Sequence, residues 1–281
     1  MKRGFLGRVG SNSHRVALTI GPQDELVSLS SFGLGQALAK DEIDQAVLPV
    51  ENSTDGDVSW ALRILKMLKK DYSIVGEAVL KIDWKLAGFG LLNQVKKVAS
   101  HPQGLAQCGI RIGEMGLETQ EADSTTVAVE LVVQCKDPAL AAICTERAAL
   151  ENGVPLIAGN ISDDAENVTR FVVVGRDKVS PTGCDRTSIL FGTQNKHGAL
   201  RRVLDILDVM GINMTMIISK PAGGKLGAYV FFVDVEGNVA DEKLGWALRL
   251  LQDEDPRNGG SVVESLRILG SYPRAQEVIN A

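Results

Sequence analysis

A threonine and an arginine stand next to each other at the start of an apolar segment. Thr169 and Arg170 precede the strand-like run 171–174, and the polar loop 163–166 comes shortly before them. A hydroxyl that can donate a proton beside a fixed cation suits an anionic substrate that is about to lose an oxygen. In proteins generally, such a pair is more often a β-forming residue beside a solvated or ion-paired arginine. The segments that accompany the pair therefore decide how much weight it carries.

Three further segments place hydroxyl, amide and imidazole groups between a predicted strand and a predicted helix. They are Pro-Val-Glu-Asn-Ser-Thr-Asp-Gly at 49–56, Ser-His-Pro-Gln at 100–103 and Asp-Ser-Thr-Thr at 123–126. Polar side chains in such loops cap the helix, while backbone N–H groups and the helix dipole remain available for an anion. A single loop of this kind is usually an ordinary capped connection. Together with Gly-Ser-Asn-Ser at 10–13, the three loops predict one convergent polar cleft.

Several common kinds of functional site are absent from the sequence. The glycines near the start do not form G-x-G-x-x-G, and neither a phosphate-binding G-x-x-x-x-G-K-[ST] loop nor a serine nucleophile elbow occurs. The cysteines show no spacing typical of zinc, so we expect neither a metal nor a cofactor. The formal charge of -5, without a block of Lys and Arg, argues against nucleic acid or an anionic membrane as a partner.

The composition is typical of a globular protein. The chain has 281 residues, of which 44% are hydrophobic and 23% charged, and this length favours two domains. The first residues lack the apolar segment of a signal peptide, and no apolar run reaches the ~18 residues that span a bilayer. We therefore expect a cytoplasmic protein with reduced thiols.

Strand-like and helix-like segments alternate along the first part of the chain, which predicts an α/β fold. A polar, turn-rich break follows at 177–183. Beyond it the pattern is strand, helix, strand, strand, helix, strand, which is the ferredoxin-like βαββαβ order. We place a domain boundary near Ser180, which divides the chain into domains 1–180 and 181–281.

Ordered blocks along nearly the whole chain resemble the prephenate dehydratase family, whose members convert prephenate to phenylpyruvate in phenylalanine biosynthesis. The blocks are 5–7 with Gly10, 13–14, 49–54 with Gly56, 100–103, 105–108, 123–126, 141–143 and Thr169-Arg170-Phe171. Segments 211–213, 231–234 and 269–274, with Tyr229, are similar to the ACT regulatory domain that follows the catalytic domain in this family. The resemblance implies two α/β lobes around a central cleft, as in periplasmic binding proteins, followed by an ACT domain. It also implies a lyase that acts on prephenate without a cofactor.

The resemblance assigns roles to individual residues. Thr169 corresponds to the residue most closely tied to catalysis in the family, and we expect it to hydrogen-bond or relay a proton to the departing hydroxyl. A threonine hydroxyl is a very weak acid, so His101 or a bound water is the expected proton source. Glu51 and Gln103 are expected to order their loops. The expected substrate-binding residues are Ser13, Asn52, Ser53, Ser124, Thr125, Thr126, Arg170 and Phe171.

Two departures from the family pattern bear on specificity and regulation. The usual Gly-Thr-Phe-Ser of the first loop is Gly-Ser-Asn-Ser here, which could shift the substrate towards arogenate. In the ACT domain, the family's Glu-Ser-Arg-Pro is Ile-Ser-Lys-Pro at 218–221, which removes a carboxylate and a bidentate guanidinium. The domain could therefore serve mainly to form a homodimer or homotetramer. If L-phenylalanine is still an allosteric effector, its expected contacts are His197, Gly198, Ala199, Leu200, Asn213 and Ser219.

Three other functions are compatible with the sequence. An arogenate dehydratase, or a prephenate decarboxylase that forms no aromatic ring, would use the same fold. The retained Thr169-Arg170-Phe171 favours the dehydratase over the decarboxylase. A non-catalytic amino-acid sensor would also combine a two-lobed cleft with an ACT domain, but the sequence shows no DNA-binding helix or basic face to carry its output.

Overall fold

The computed structural model describes residues 1–223, 227–255 and 260–280. Its helices are α1 (Asn12–Ile20), α2 (Ser31–Ala39), α3 (Ser59–Met67), α4 (Pro102–Ala106), α5 (Gly109–Glu114), α6 (Thr125–Cys135), α7 (Glu146–Glu151), α8 (Ala199–Val209) and α9 (Glu242–Gln252), with a 3-10 turn at Leu92–Gln94. The strands before the predicted boundary are β1 (Lys2–Leu6), β2 (Glu25–Leu29), β3 (Gln45–Asn52), β4 (Gly56–Asp57), β5 (Ser73–Lys81), β6 (Lys85–Gly88), β7 (Lys97–Ser100), β8 (Glu118–Glu121), β9 (Leu140–Cys144), β10 (Leu156–Ala158) and β11 (Val168–Gly175). The later strands are β12 (Asp185–Gly192), β13 (Met214–Pro221), β14 (Tyr229–Glu236), β15 (Glu254–Asp255), β16 (Gly260–Ser261), β17 (Ser265–Pro273) and β18 (Val278–Ile279). The predicted alternation of strands and helices is confirmed.

The first sheet carries both Asn52 and Thr169. Its strand order is β18-β5-β11-β3-β1-β2, and the short β4 pairs with the end of β3. The central strands β3 and β11 are buried along most of their length, as is typical of strands covered on both faces. At the far edge, β18 pairs in parallel with β5, so the end of the described chain returns to the first sheet.

The second sheet positions two of the predicted polar loops. Its strand order is β10-β6-β9-β7-β8, and β7 runs parallel to both β8 and β9. Ser100 at the end of β7 aligns with Glu121 at the end of β8. The loops that follow these parallel strands therefore leave the same edge of the sheet, and they enter α4 and α6.

The third sheet confirms the predicted βαββαβ domain. Four antiparallel strands follow the order β13-β14-β12-β17, with α8 between the first two strands in the sequence and α9 between the last two. Side chains of β12, β14, α8 and α9 form its core, which includes Ile189, Phe191, Val203, Val233 and Leu248.

The chain divides into two compact units. One comprises Met1–Val58, Ala78–Phe171 and Glu277–Ala281, and the other comprises Ser59–Glu77 and Val172–Gln276. The apolar interior of the first unit includes Phe5, Val47, Trp84, Ile143 and Phe171. None of the helices in the described ranges is both long enough and apolar enough to cross a membrane.

Candidate active site

The Thr169 hydroxyl is held by the side chain of Asn52. The Asn52 Nδ2 atom lies 2.9 Å from Thr169 Oγ1, and both residues are buried. The same Nδ2 donates to Asn167 Oδ1 at 2.7 Å and to the Val168 carbonyl at 3.1 Å. Because the amide is the donor, the Thr169 oxygen accepts in this contact and its own proton stays available for another acceptor.

The turn after Asn52 is fixed by the other end of the same amide. Asn52 Oδ1 accepts hydrogen bonds from the backbone N–H groups of Thr54 and Asp55, at 3.0 and 2.9 Å. Ser53 donates its N–H to the Val168 carbonyl at 2.9 Å, and its hydroxyl accepts the Val168 N–H at 3.0 Å. The turn is thereby bonded to the residue that precedes Thr169.

The prediction that segment 49–56 leads directly from a strand into a helix was wrong. β3 continues to Asn52, and the chain then turns back through Gly56, with φ of 81°, to pair β4 with β3. Helix α3 begins only at Ser59. The side-chain oxygen of Asn52, Oδ1, therefore caps a turn and not a helix. Asparagine side chains commonly accept hydrogen bonds from backbone N–H groups two and three residues further on.

Arg170 and Glu51 form an ion pair beside the Asn52–Thr169 contact. Arg170 Nε lies 3.0 Å from Glu51 Oε2, and Arg170 is 7% exposed. Glu51 precedes Asn52 in β3, as Thr169 precedes Arg170 in β11. Successive side chains of a strand point to opposite faces. The ion pair and the threonine therefore lie on different faces of the first sheet, although both pairs are adjacent in the sequence.

The loops of the second sheet use several predicted residues as helix caps. His101 Nδ1 accepts the Gln103 N–H at 3.2 Å at the start of α4, with Pro102 at its first turn as predicted. Ser124 Oγ accepts the Val127 N–H at 3.1 Å at the start of α6. Of the next two predicted residues, Thr125 is partly exposed and Thr126 is buried.

A contact between the two sheets involves Gln103, which was expected to order its loop, and two residues to which the sequence analysis gave no individual role, Asp55 and Gln107. Asp55 Oδ2 accepts hydrogen bonds from Gln107 Nε2, at 2.6 Å, and from Gln103 Nε2. The side-chain oxygen of Gln107, Oε1, in turn accepts the Trp84 Nε1–H at 2.7 Å. The spacing of Gln103 and Gln107 by one helical turn is the sequence signal that could have indicated a shared partner.

The loop at 10–13 also joins elements of both sheets. Ser11 caps α1, and Ser13 is buried. His14 Nδ1 accepts the Gly10 N–H at 3.1 Å, and Thr145, at the start of α7, donates its hydroxyl proton to the Gly10 carbonyl at 2.7 Å. A Cβ atom at Gly10 would lie 2.9 Å from the Ala148 backbone, so this approach requires glycine.

Phe171 lies in the hydrophobic interior. Its side chain is 2% exposed and belongs to the apolar cluster that contains Phe5 and Val47. The structure thus gives Phe171 a packing role, and its predicted contact with substrate stays a prediction. Among the described residues, no group of three or more His, Cys, Asp or Glu side chains is placed to hold a metal ion.

Comparison with known proteins identifies the family of the chain. Residues 4–179 match the prephenate dehydratase family, and residues 187–244 match the ACT domain. The chain belongs to the prephenate dehydratase family. The two matches account for most of the chain before the predicted boundary and for the first part of the C-terminal domain.

Three relatives illustrate the range of the family. The chain is 37% identical to the bifunctional chorismate mutase/prephenate dehydratase of Aquifex aeolicus over 83% of its own length, but it spans only 62% of that protein. It is 34% identical to arogenate dehydratase/prephenate dehydratase 2 of Arabidopsis thaliana, covering 96% of this chain and 72% of that one. A solved structure of prephenate dehydratase from Arthrobacter aurescens in complex with L-Phe superposes with a TM-score of 0.86 at 27% identity, covering 100% and 93% of the two chains.

The predicted effector residues of the ACT domain lie at the start of α8 and in or near β13. Gly198, with φ of 72°, is the N-cap of α8, and the exposed His197 precedes it. Ala199 is buried and Leu200 is partly buried, whereas Asn213 and Ser219 are exposed. Lys220, which replaces the family's arginine, donates from Nζ to Ser59 Oγ of α3 at 2.9 Å. The substituted block thus contacts α3 within the second compact unit.

Proposed function

We propose that this chain is a prephenate dehydratase. The single observation that supports this most strongly is the Thr169 hydroxyl, buried and oriented by the Asn52 amide, in a chain that belongs to the family. A relative from Aquifex aeolicus and a structural neighbour from Arthrobacter aurescens both bear this activity in their names.

The reaction needs positioning and one proton. The ring C–C bond to the carboxylate breaks and releases CO2, and its electron pair forms a ring double bond as the C–O bond to the hydroxyl breaks. The departing hydroxide takes up a proton to become water, and the product ring is aromatic. Because aromatisation drives the reaction, the protein must hold the dianion and assist the leaving group.

We assign to Thr169 the role of assisting the leaving group. The Asn52 N–H donates to its oxygen, which stabilises negative charge on that oxygen and leaves the hydroxyl proton free to be donated. A serine-type nucleophile would instead require a base that accepts the hydroxyl proton. The geometry therefore supports proton donation by Thr169 rather than attack by it.

His101 is proposed as the proton source behind Thr169. Its Nδ1 accepts the Gln103 N–H, so in the neutral imidazole the proton resides on Nε2 and can be donated. Ser13, Ser124, Thr125 and Thr126, with nearby backbone N–H groups, are proposed to bind the substrate carboxylates. Arg170 was expected to bind substrate and Glu51 to order its loop. Since Glu51 engages the Nε of Arg170, we propose instead that this pair braces the two central strands.

Arogenate is the second candidate substrate. The Arabidopsis thaliana relative, 72% of whose length is covered by the match, is named as both an arogenate and a prephenate dehydratase. The phenylalanine side chain of the usual first loop is replaced by Asn12, which adds an amide to that loop. An amide can accept a hydrogen bond from the ammonium group that distinguishes arogenate from prephenate.

One experiment tests both substrates. Prephenate and arogenate are incubated separately with the parent chain and with Thr169→Val, and the products are identified by absorbance and chromatography. Phenylpyruvate from prephenate supports the proposal, whereas phenylalanine formed faster from arogenate supports the alternative. A non-aromatic decarboxylated product would indicate the prephenate decarboxylase. Binding of prephenate or an amino acid without any turnover would indicate a sensor and overturn the proposal.

Regulation, assembly and location are further parts of the proposal. The L-Phe complex of the Arthrobacter aurescens protein supports L-phenylalanine as an effector of the ACT domain. Because Ile218 and Lys220 replace a carboxylate and a guanidinium, we expect binding weaker than the family pattern would give. Titration calorimetry with L-phenylalanine tests this. Absence of heat at millimolar ligand would show that L-phenylalanine is not an effector of this chain. We also propose a cytoplasmic location and a homo-oligomer assembled through ACT domains; sedimentation of the purified chain tests the oligomeric state.

A further inference from the structure

We propose that Asp55 is a positioning residue for Thr169: its carboxylate anchors the Asn52 turn of the first sheet to Gln103 and Gln107 beside the second sheet. This inference rests on the proposed function, because the hydroxyl that it positions is the group assigned to the leaving oxygen.

The carboxylate of Asp55 has partners that fix its place. One oxygen, Oδ2, accepts an N–H from Gln107 at 2.6 Å and another from Gln103. Hydrogen bonds to an ionised acceptor are roughly twice as strong as those between neutral groups. Gln103 belongs to α4 and Gln107 is the C-cap of that helix, so both ends of the short helix are bound to a single oxygen.

Gln107 is itself held at both ends of its amide. Its carbonyl oxygen accepts the indole N–H of Trp84 at 2.7 Å, while its nitrogen donates to Asp55. Gln107 and Trp84 are 8% and 6% exposed. A buried amide with both ends satisfied cannot rotate without losing a hydrogen bond. Gln107 therefore offers Asp55 a rigid anchor.

The anchor is connected to the catalytic hydroxyl through two further hydrogen bonds. The backbone N–H of Asp55 donates to Asn52 Oδ1 at 2.9 Å, and Asn52 Nδ2 donates to Thr169 Oγ1 at 2.9 Å. Asp55 thus binds Asn52 through its backbone and the glutamines through its side chain. If the carboxylate is removed, the turn keeps its bonds to Val168 but loses its anchor to Gln103 and Gln107, and the Asn52 amide loses part of what holds its orientation.

A direct contact of Asp55 with substrate is disfavoured by charge. The substrate is a dianion, and the negatively charged Asp55 carboxylate close to it would weaken binding by repulsion. An aspartate in a turn is most often explained by local turn geometry alone. The experiment must therefore separate turn stability from the orientation of Thr169.

The first test compares Asp55→Ala, Asp55→Asn and a control, Glu42→Ala, which removes an exposed carboxylate elsewhere in the first unit. We expect Asp55→Ala to lower kcat about 10-fold or more, with KM changed less than about 3-fold, since small misplacements of a reacting group are costly. Asp55→Asn, whose amide oxygen can still accept a hydrogen bond, should recover kcat to within about 3-fold of the parent. Parent-like kcat in Asp55→Ala, or a change confined to KM, would overturn the inference.

The second test asks whether Asp55 acts through Thr169. In a Thr169→Val background, Asp55→Ala should lower kcat by less than about 2-fold, because residues that act as a unit are not additive. An undiminished loss in that background would show that Asp55 acts by another route.

A third measurement does not depend on activity. Amide hydrogen exchange should be faster at Thr54 in Asp55→Ala than in the parent and in Glu42→Ala, because the Asn52 cap of that N–H is loosened. Unchanged exchange would overturn the inference even if the parent is active. Conversely, if the parent fails to convert prephenate, the proposed function fails while this measurement still decides whether Asp55 anchors the turn.

Discussion

Asn52 binds Thr169 on one face of the first sheet. Glu51, which precedes Asn52, pairs with Arg170, which follows Thr169, on the opposite face. The two contacts measure 2.9 and 3.0 Å. They arise because the same two strands are neighbours and because side chains alternate along a strand. The hydroxyl and the guanidinium that adjoin in the sequence therefore have different partners, and we expect their variants to have different effects.

Thr169→Val should lower kcat by about 10²-fold or more, because it removes the proton-donating hydroxyl. KM and folding should be nearly unchanged, because a methyl group of similar size replaces the hydroxyl. The matched control is Thr119→Val at an exposed position of β8. Steady-state kinetics with prephenate and a thermal melt check both. Turnover of Thr169→Val at the parent rate would falsify its assigned role.

Asn52→Asp should separate the two ends of the amide. The carboxylate still accepts the Thr54 and Asp55 N–H groups, but it cannot donate to Thr169 or Asn167. We expect kcat to fall about 10²-fold, and the free energy of unfolding to fall by about 1–3 kcal/mol because buried acceptors lose their donor. Turnover assays and urea unfolding measure these effects. An unchanged kcat would show that donation by Asn52 is not needed.

His14 should make stability depend on pH. The pKa of His14 lies below its ordinary value of 6.5, first because of burial and then because of the Arg147 guanidinium, while Glu151 opposes the shift. The unfolded chain thus binds this proton at higher pH than the folded chain does. The stabilisation is complete above pH 6.5 and is lost as the pH falls from 6.5 through the lower folded pKa.

The comparison variant is His14→Gln, which can accept the Gly10 N–H but does not titrate. Urea unfolding at about pH 7.5 and about pH 5 should show a larger loss of unfolding free energy for the parent than for the variant. Equal losses for the two chains would contradict the prediction.

Glu77 should be important for stability within the second unit. Its carboxylate lies 3.2 Å from Arg186 Nη1 and accepts the Ala275 N–H at 3.0 Å, and its side chain is only 2% exposed. Glu77→Ala should lower the free energy of unfolding by about 3–5 kcal/mol, since it leaves a buried charge without this partner. Glu114→Ala, in an exposed pair with Arg111, should cost less than about 1 kcal/mol. Similar losses in chemical unfolding of the two variants would refute the distinction.

The cysteines should differ in reactivity. Burial raises the pKa of Cys144 to about 12, and burial with the nearby Asp163 carboxylate raises the pKa of Cys108 to about 12, whereas Cys135 and Cys184 are exposed. Because the thiolate is the reactive form, an aromatic disulfide reagent at about pH 8 should label only Cys135 and Cys184 in the folded chain. Mass spectrometry of the labelled peptides identifies the sites. Rapid labelling of Cys144 would contradict its burial.

Much of the secondary structure could be predicted because it depends on nearby residues. Apolar spacing indicated α3, and the Ser-His-Pro-Gln and Asp-Ser-Thr-Thr loops indicated the starts of α4 and α6. The segment 49–56 was predicted incorrectly because Ser, Thr and Asp cap both helices and turns. Pairing of β4 with β3, a contact made after folding, decides between them.

The amino-acid sequence by itself determined the α/β class and the C-terminal βαββαβ domain, and it predicted a site in the segments around Asn52 and Thr169. Local periodicity and the order of family motifs were sufficient for these conclusions. Only the tertiary structure decided that Asn52 holds Thr169, that Arg170 pairs with Glu51 and that Asp55 binds Gln107. These partners are between 52 and 119 residues apart, so their contacts depend on strand order and side-chain alternation rather than on neighbouring residues.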